Sequence, residues 1–160
     1  MPDALQPIMT WAHELDLEVE RPSEDTLIVS LPGSQRQQVS VAVTATAQAL
    51  VFESFVARGT DEDPAKLHEF LLRRNAKAFG AAYCIDQFGD VYLVGRLPLA
   101  SATIAGIDLV LASILGMADG DFNTILQLGF AEAIEREWRW RLARGESTAN
   151  LAAFENLRPQ

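Results

Sequence analysis

The stretch LIVSLPGSQRQQVSVAVTATAQALVFESFVA, residues 27–57, decides the fold of this 160-residue chain. It contains three apolar runs separated by short turns, and the middle run, residues 38–44, alternates apolar and small or polar side chains without a break. Such alternation is typical of a strand with one buried and one solvated face. The run at residues 50–57 is apolar on both faces apart from Glu53 and Ser54, which indicates a more central strand. Three strands joined by short turns predict an antiparallel meander.

The segments on either side of the meander add helices and a hairpin. Residues 5–17 place apolar side chains at helical spacing and predict a first helix. After the meander, Asp61-Glu62-Asp63-Pro64 has the acids and the early proline of a helix start. Residues 81–86 and 90–97 then alternate on either side of a short loop that contains glycine, which predicts a β-hairpin.

The C-terminal part is predicted to be helical. An apolar face over residues 104–118 predicts one helix, and a second is predicted from about Asp121 to Arg144. The order α-β-β-β-α-β-β-α(α) predicts an α+β fold, with a five-stranded antiparallel sheet and helices on one face. We assign residues 1–145 to a single domain and residues 146–160 to a tail that either packs or frays. The stripe of the second helix steps by four residues through Phe122, Leu126, Phe130, Ile134 and Trp138.

The chain is acidic, with a formal net charge of −9. A nucleic-acid partner is not expected, because a phosphate backbone needs a lysine and arginine footprint. Nor is a membrane partner, because the acidic surface repels anionic lipid and the longest apolar stretch is too short to span a bilayer. The acids serve solubility or dock a basic segment of another protein. With one cysteine and no signal peptide pattern, the chain is expected in the cytoplasm.

Few residues could carry catalysis. His13 and His68 each lie beside the apolar stripe of a helix, and the adjacent glutamate points about 100° away, so neither histidine has an orienting partner. Cys84 is expected to be an inert core thiol, because free cysteines are commonly buried and no adjacent cation lowers its pKa. We therefore predict no catalytic residue and a protein that is not an enzyme.

Two acidic segments have some features of metal sites. The stretch from Asp119 to Asn123 begins like a calcium loop, but Thr124 and Phe130 occupy the sixth and twelfth positions, which require glycine and glutamate. A helix-capping turn explains the same residues. The acids at 61–63 are typical of a first helical turn rather than a magnesium site. The sequence also lacks glycine-rich phosphate loops, so no metal and no cofactor are expected.

The two tryptophans of the last predicted helix are expected to differ. Trp138 continues the apolar stripe and should be buried. Trp140 is rotated about 200° from it, onto a flank shared with Glu132 and Arg136. An aromatic side chain there contacts a partner or a second subunit, or it is covered by the tail near Phe154. Trp140 is therefore the predicted partner-binding residue.

Several motifs between about residues 20 and 130 together resemble the YbjN domain family of bacteria. The more specific ones are L-L-R-x-N at residues 71–75 and G-D-V-x-L at residues 89–93, and both are structural rather than catalytic. The resemblance implies a fold similar to the type III secretion chaperones, whose members bind protein segments without enzymatic turnover, often as homodimers. The family itself is described as regulatory or sensory. The other matching pieces are Leu31-Pro32-Gly33, Glu53-Ser54-Phe55-Val56, Gly95-Arg96-Leu97-Pro98, Ile107-Asp108 and Leu126-Gln127-Leu128-Gly129-Phe130.

These observations predict a non-enzymatic protein-binding module, either chaperone-like or a regulatory adaptor. It would act through an exposed sheet edge or an apolar helix face, on a partner protein or on a second copy of itself in a homodimer. The alternative is a small-ligand-sensing regulatory domain with a pocket between the sheet and the helices. The long arginine-rich final helix and the tail go beyond a minimal chaperone-like domain.

Overall fold

The computed structural model describes residues 3–160, which form one sheet covered by helices. More of these residues lie in α-helices than in strands, and none of the helices that they form has the length and apolarity to cross a membrane. The elements in chain order are α1 (Gln6–Glu14), β1 (Val19–Ser23), β2 (Thr26–Pro32), β3 (Gln38–Ala45), β4 (Ala49–Ala57), α2 (Ala65–Asn75), β5 (Ala82–Ile85), β6 (Val91–Pro98), a 3-10 turn (Leu99–Ser101), α3 (Ile104–Gly120), α4 (Phe122–Gly129), α5 (Ala131–Arg144) and a 3-10 segment (Ala149–Leu157), called the tail helix below.

All strand pairs in the sheet are antiparallel, and the strand order is β1-β2-β3-β4-β6-β5. The predicted meander is formed by β2, β3 and β4, with Val29 opposite Val41 and Val43 opposite Phe52. The predicted hairpin of β5 and β6 joins it through β6, which pairs with β4. The two edge strands of the sheet are therefore β1 and β5.

The sheet has six strands, so the prediction of five was wrong. The additional strand, β1, contains Arg21-Pro22-Ser23, which by sequence predicts only the end of a helix. Only Val19 of this strand is partly buried, and the other four residues are exposed, so β1 shows no apolar alternation. Proline is tolerated there because the N–H groups on the outer side of an edge strand need no ladder partner.

The core lies on one face of the sheet. The helix α3 packs on this face against β3, β4 and β6, and its Leu111 and Ile114 are fully buried. The helix α1 packs on α3 and buries Ile8. Each such side chain contributes roughly 1.5–3 kcal/mol by leaving water. On the opposite face, Glu53 and Arg96 are exposed, so the α-helices that cover the core pack on one side.

The predicted helix from about Asp121 to Arg144 is in fact two helices. Phe130 has φ −137° and ψ 30°, outside the helical region, and it separates α4 from α5. Gly129 precedes the break, and glycine is among the poorest helix formers. The Gly129 carbonyl also accepts a hydrogen bond from the Thr60 hydroxyl, which ties the end of α4 to the loop after β4. The stripe with a step of four residues therefore bends at Phe130 instead of continuing straight.

The helix α2 begins later than the acidic segment predicts. Its first residue is Ala65, and the acids at 61–63 lie before it. The Asp63 Oδ1 atom accepts a hydrogen bond from the Ala65 N–H at 3.0 Å, so a carboxylate that precedes the helix binds the N–H group of its first residue. Acid at this end is favourable because the helix dipole is positive there.

The C-terminal residues form an arm that packs on α4 and on itself. The helix α5 contacts α4 and the tail helix, which also contacts α4. Trp138 is 1% exposed, and its Nε1 donates a hydrogen bond to the Phe154 carbonyl at 3.1 Å. Leu151 and Phe154 of the tail are buried. The tail therefore packs rather than frays, and we call residues 131–157 the C-terminal arm. The proposed boundary at residue 145 stays a prediction.

Candidate protein-binding surfaces

The three residues considered for catalysis are not in the core. His13 is exposed in α1, and His68 is half-buried in α2. Cys84 is exposed in β5, so the expectation of a core thiol was wrong. Cys84 does share a sheet face with Ala82, but this is the outer face, because Tyr83 between them points into the core.

His68 and Cys84 line one groove of about 190 Å³ beside β5. A cysteine next to a histidine is a common arrangement for a nucleophile, so its geometry matters. Within residues 3–160, His68 and Cys84 are not joined by a hydrogen bond, although both line this groove. Partial burial, and then the charge of Glu53, raise the pKa of the Cys84 thiol. A nucleophilic cysteine needs a lowered pKa, so this thiol is not activated.

The outer edge of β5 is closed by a side chain from α2. The Asn75 Oδ1 atom accepts a hydrogen bond from the Tyr83 N–H at 2.7 Å, and the Asn75 Nδ2 atom donates one to the Tyr83 carbonyl at 3.0 Å. The amide of Asn75 thus takes the place of a neighbouring strand at this residue. Natural sheets commonly cover an edge in order to prevent unwanted pairing. Sequence reasoning included Asn75 in the L-L-R-x-N motif but did not identify this contact.

Two large apolar side chains are exposed beside this closed edge, and two more are exposed before and after β5 in the chain. Leu72 is 69% exposed and Ile85 47%, and both line the groove that contains His68. Phe79, before β5, is 72% exposed, and Phe88, after it, is 74% exposed. We call Leu72, Phe79, Ile85 and Phe88 the α2–β5 surface. Large apolar side chains left exposed on a folded protein are candidates for an interaction site.

Sequence signals for the α2–β5 surface existed but are weak. Leu72 lies next to the predicted stripe of α2 rather than on it, and Phe88 is an aromatic residue in a hairpin loop. Either residue alone is ordinary, because scattered exposed apolar residues are common. The groove that Leu72 shares with Ile85 follows from the placement of α2 against β5, which residue spacing does not reveal.

A buried polar cluster anchors the α2–β5 surface to the core. Arg74 Nε lies 2.7 Å from Asp121 Oδ2, and this ion pair joins α2 to the start of α4. Tyr83 Oη lies 3.0 Å from the same carboxylate oxygen and from the Met117 carbonyl. Burial, and then the Asp121 charge, raise the pKa of Tyr83, so the phenol stays protonated and can donate. This cluster therefore links α2 and β5 to α3 and α4.

The other sheet edge, β1, is irregular. Its pairing with β2 shifts register between Glu20 and Ser23, and Pro22 lies within that shift. Arg21 forms an ion pair with Asp3 at 2.8 Å. Irregular register, proline and charge all hinder the addition of another strand. Both edges of the sheet thus have features that oppose strand pairing.

Trp140, the predicted partner-binding residue, is 43% exposed on α5. The guanidinium groups of Arg144 and Arg141 lie 4.8 Å and 5.9 Å from its ring centroid. Phe154 of the tail contacts Trp138 through its carbonyl, and Trp140 remains largely uncovered. The placement leaves this aromatic ring accessible, and its role in a contact stays a prediction.

The acids considered as metal ligands have protein partners. Asp119 Oδ1 accepts hydrogen bonds from the N–H groups of Gln35 and Arg36, each at 2.8 Å, and Oδ2 accepts one from the Ser34 hydroxyl at 2.7 Å. The Arg36 N–H and the Ser34 hydroxyl, which stabilise the carboxylate, hold the pKa of Asp119 well below its usual range. Asp121 is bound to Arg74. Within residues 3–160, no three His, Cys, Asp or Glu side chains are grouped so as to hold a metal ion.

Comparison with solved structures identifies similar folds. One is the heterodimeric ExoU–SpcU complex of the type III secretion system of Pseudomonas aeruginosa, with a TM-score of 0.53 and 12% identity over 81% of this chain and 98% of that chain. Another is the ExsC–ExsE complex, with a TM-score of 0.53 and 20% identity over 72% of this chain and 88% of that chain. At such identities the likeness shows the fold, an antiparallel sheet with helices similar to the type III secretion chaperones.

Sequence comparison gives closer relatives. An uncharacterized protein of Mycobacterium bovis is 44% identical over 133 residues, which are 83% of this chain and 73% of the relative. The YbjN family, described as "Putative bacterial sensory transduction regulator", matches residues 5–127. The match includes both of the more specific motifs, L-L-R-x-N and G-D-V-x-L. The chain therefore belongs to the YbjN family.

Proposed function

We propose that this protein is a non-enzymatic adaptor that binds another protein through its α2–β5 surface. The observation that carries the proposal is the exposure of Leu72 and Ile85 in one groove beside β5, with Phe79 and Phe88 exposed before and after that strand. Such apolar area is costly to leave in water, at roughly 25 cal/mol per Å². A contact that covers it recovers this free energy, and apolar and aromatic side chains commonly form the centre of protein interfaces.

The partner docks on side chains rather than by adding a strand. Strand addition at β5 would have to displace the two hydrogen bonds between Asn75 and Tyr83. The irregular register of β1, with Pro22, makes that edge a poor alternative. Of the two modes expected from the sequence, the apolar face is thus better supported than the sheet edge.

The occupant of the α2–β5 surface is a partner protein or a second copy of the chain. Similar folds occur in complexes with other proteins, including ExoU–SpcU and ExsC–ExsE, and this supports a protein partner. The proposal places the adaptor in the cytoplasm, where an exposed free thiol such as that of Cys84 stays reduced.

The alternative function is small-ligand sensing, and one groove between the sheet and the helices could hold such a ligand. This groove lies between α1, β2 and α3, has a volume of about 320 Å³, and is lined mainly by leucines. Its two polar lining residues are engaged with each other, since Trp11 Nε1 donates to Asp108 Oδ1 at 3.0 Å. Small-molecule sites usually offer a few free polar groups that orient the ligand. The α2–β5 surface is therefore the stronger candidate.

The test compares association before and after a charge is placed on the surface. Leu72→Asp and Ile85→Lys alter exposed side chains, so the fold should survive. Leu142→Asp is the matched control, because Leu142 is 42% exposed on the C-terminal arm. Sedimentation velocity measures self-association, and photo-crosslinking from position 72 in host cells, followed by mass spectrometry, identifies a partner and the residues that touch it.

We expect the Leu72 and Ile85 variants to lose the dimer or the crosslinked partner, and the Leu142 variant to retain it. The proposal is wrong if association is unchanged by both surface variants. It is also wrong if the protein stays monomeric and uncrosslinked while a small molecule raises its melting temperature by mass action.

A further inference from the structure

A second groove runs between the end of β4 and α4, and it shares no lining residue with the groove that contains Leu72 and Ile85. Its volume is about 320 Å³. Val56, Ala57 and Phe130 are buried in its floor, while Phe55 is exposed and Leu126 half-buried. The lining is apolar apart from two arginines. The full set of lining residues is Arg36, Phe55, Val56, Ala57, Arg58, Phe122, Leu126 and Phe130.

The two arginines lie at opposite ends of α4. The Arg36 guanidinium lies 4.7 Å from the centroid of the Phe122 ring, and the Arg58 guanidinium lies 4.7 Å from that of Phe130. The two phenylalanines are eight residues apart, which is about 12 Å along a helix. Stacking on an aromatic ring restricts each guanidinium, so the two positive charges are held apart across the groove.

Both charged residues of the lining are positive, although the chain carries a net charge of −9. The nearest acids compete only weakly for them. Asp119 is occupied by backbone N–H groups of the β2–β3 loop, and Arg36 Nη1 reaches only the carbonyls of Phe55 and Val56, at 3.4 Å. Asp61 lies 3.5 Å from Arg58, but its side chain is 93% exposed, and such surface pairs are weak.

We propose that this groove binds an acidic, apolar segment of the partner protein in an extended conformation. An extended chain advances about 3.3 Å per residue, so about four residues match the rise of α4 between Phe122 and Phe130, the rings on which the two arginines stack. Side chains at positions 1, 3 and 5 of such a segment face the same side. Carboxylates at positions 1 and 5 would therefore reach Arg36 and Arg58, and an apolar side chain at position 3 would contact Leu126.

This inference deepens the proposed function, because it assigns a chemical pattern to the bound protein. It concerns a different surface, so the two can fail separately. A peptide is favoured over a small anionic amphiphile because one carboxylate satisfies one arginine, whereas the groove has two arginines at its two ends. Charge complementarity of this kind selects partners more than it adds affinity.

The test is a titration of the 15N-labelled protein, followed by amide chemical shifts. The probe is a capped seven-residue peptide with glutamate at its second and sixth positions, leucine at its fourth and serine elsewhere. A second peptide has lysine in place of glutamate, and decanoate represents a small anionic amphiphile. The protein variants are Arg36→Gln, Arg58→Gln and both together. Arg96→Gln is the matched control, because Arg96 is exposed on the outer sheet face.

We expect the glutamate peptide to shift the amides of Ala57, Arg58 and Leu126 at millimolar concentration, and the lysine peptide to leave them unchanged. Loss of two charge contacts in the groove should weaken binding about tenfold in the double variant, and Arg96→Gln should bind normally. The spectrum of each free variant shows whether it is folded.

The proposal is overturned if the glutamate peptide shifts none of these amides, if both peptides shift them equally, or if the double variant binds as the unmodified protein does. A stronger response to decanoate than to the glutamate peptide would reject the peptide in favour of a small anionic ligand. If association through Leu72 and Ile85 persists in that case, the proposed function stands and only the assignment of this groove fails.

Discussion

At the scale of single residues, two tryptophans show how position on one helix determines the role of a side chain. Trp138 is 1% exposed and its indole N–H is bound to the tail, whereas Trp140 is 43% exposed between arginines. The two residues are two positions apart, so helical geometry points them to opposite sides of α5. One is a core residue of the C-terminal arm, and the other is available to a partner.

Replacement of these tryptophans should therefore have different effects. Trp138→Ala removes a buried ring and should lower the free energy of unfolding of the arm by about 3–5 kcal/mol. Trp140→Ala should change stability much less and should weaken self-association or partner binding. Urea denaturation and sedimentation across protein concentration measure the two effects. Equal destabilisation by both variants, with no change in association, would exclude a contact role for Trp140.

The exposed thiol of Cys84 should react with a thiol reagent in the native protein. Partial burial of the thiol, and then the charge of Glu53, raise its pKa above the ordinary value of 9.0, so labelling should be slow at neutral pH and should accelerate as the pH approaches and passes that value. Glu53→Gln removes a negative charge that disfavours the thiolate, so it should speed labelling at a given pH. Glu20→Gln, on the far edge strand, is the control. Labelling that follows the rate of unfolding would show that the thiol is buried.

At the scale of elements, the β2–β3 loop depends on a carboxylate from α3. Asp119 accepts hydrogen bonds from the N–H groups of Ser34, Gln35 and Arg36, which have no strand partners at this turn. A Cβ on Gly33 would lie 2.2 Å from the Arg36 carbonyl, so the turn also requires glycine for steric reasons. The loop and the helix thus stabilise each other, and Arg36 is positioned at the α4 groove as a consequence.

The Asp119 interaction should make stability depend on pH. The pKa of this carboxyl is lower in the folded protein than its ordinary value of 3.8. Its contribution is therefore complete above about pH 4 and is lost as the pH falls toward the folded pKa. Asp119→Asn should be less stable at pH 7 and should lose less stability between pH 5 and pH 3, as measured by urea denaturation. Asp61→Asn, at an exposed site, should behave like the unmodified protein. A parallel decline for all three proteins would contradict this prediction.

At the scale of the whole molecule, the C-terminal arm lies outside the part of the chain that matches the YbjN family. It contacts α4, itself and, through the Glu132 N–H, the Glu62 carboxylate before α2, while the sheet core is covered by α1, α2, α3 and Ile125 of α4. The family match ends at residue 127, before the arm begins. The arm should therefore be able to lose its structure without loss of the sheet.

Deletion of residues 146–160 should expose Trp138 and destabilise α5. We expect tryptophan emission to shift to longer wavelength and helical circular dichroism to fall, while amide exchange in β2, β3 and β4 stays slow. Deletion of residues 159–160 alone, which leaves Leu151 and Phe154 in place, is the control. Loss of protection throughout the sheet would show that the arm is required for the whole fold.

The sequence alone determined the elements whose pattern repeats along the chain. A period of 2.0 residues predicts the strand at residues 38–44 and the strands of the hairpin around Gly89. A period of 3.6 residues predicts the buried position of Trp138. Both periods are local properties of the chain. The YbjN motifs were likewise readable, and with them the fold class. Spacing also predicted correctly that Cys84 and Ala82 share a face.

Only the tertiary structure decided which face of an edge strand is buried and which distant residues meet. Alternation places Cys84 and Ala82 on one face of β5 and Tyr83 on the other, but it does not say which face is buried. The buried face is determined by the helix that packs against this edge strand. Arg74 and Asp121 are 47 positions apart, and no local rule pairs them. The break at Phe130, the strand β1 and the groove along α4 likewise depend on packing between segments that are far apart in the chain.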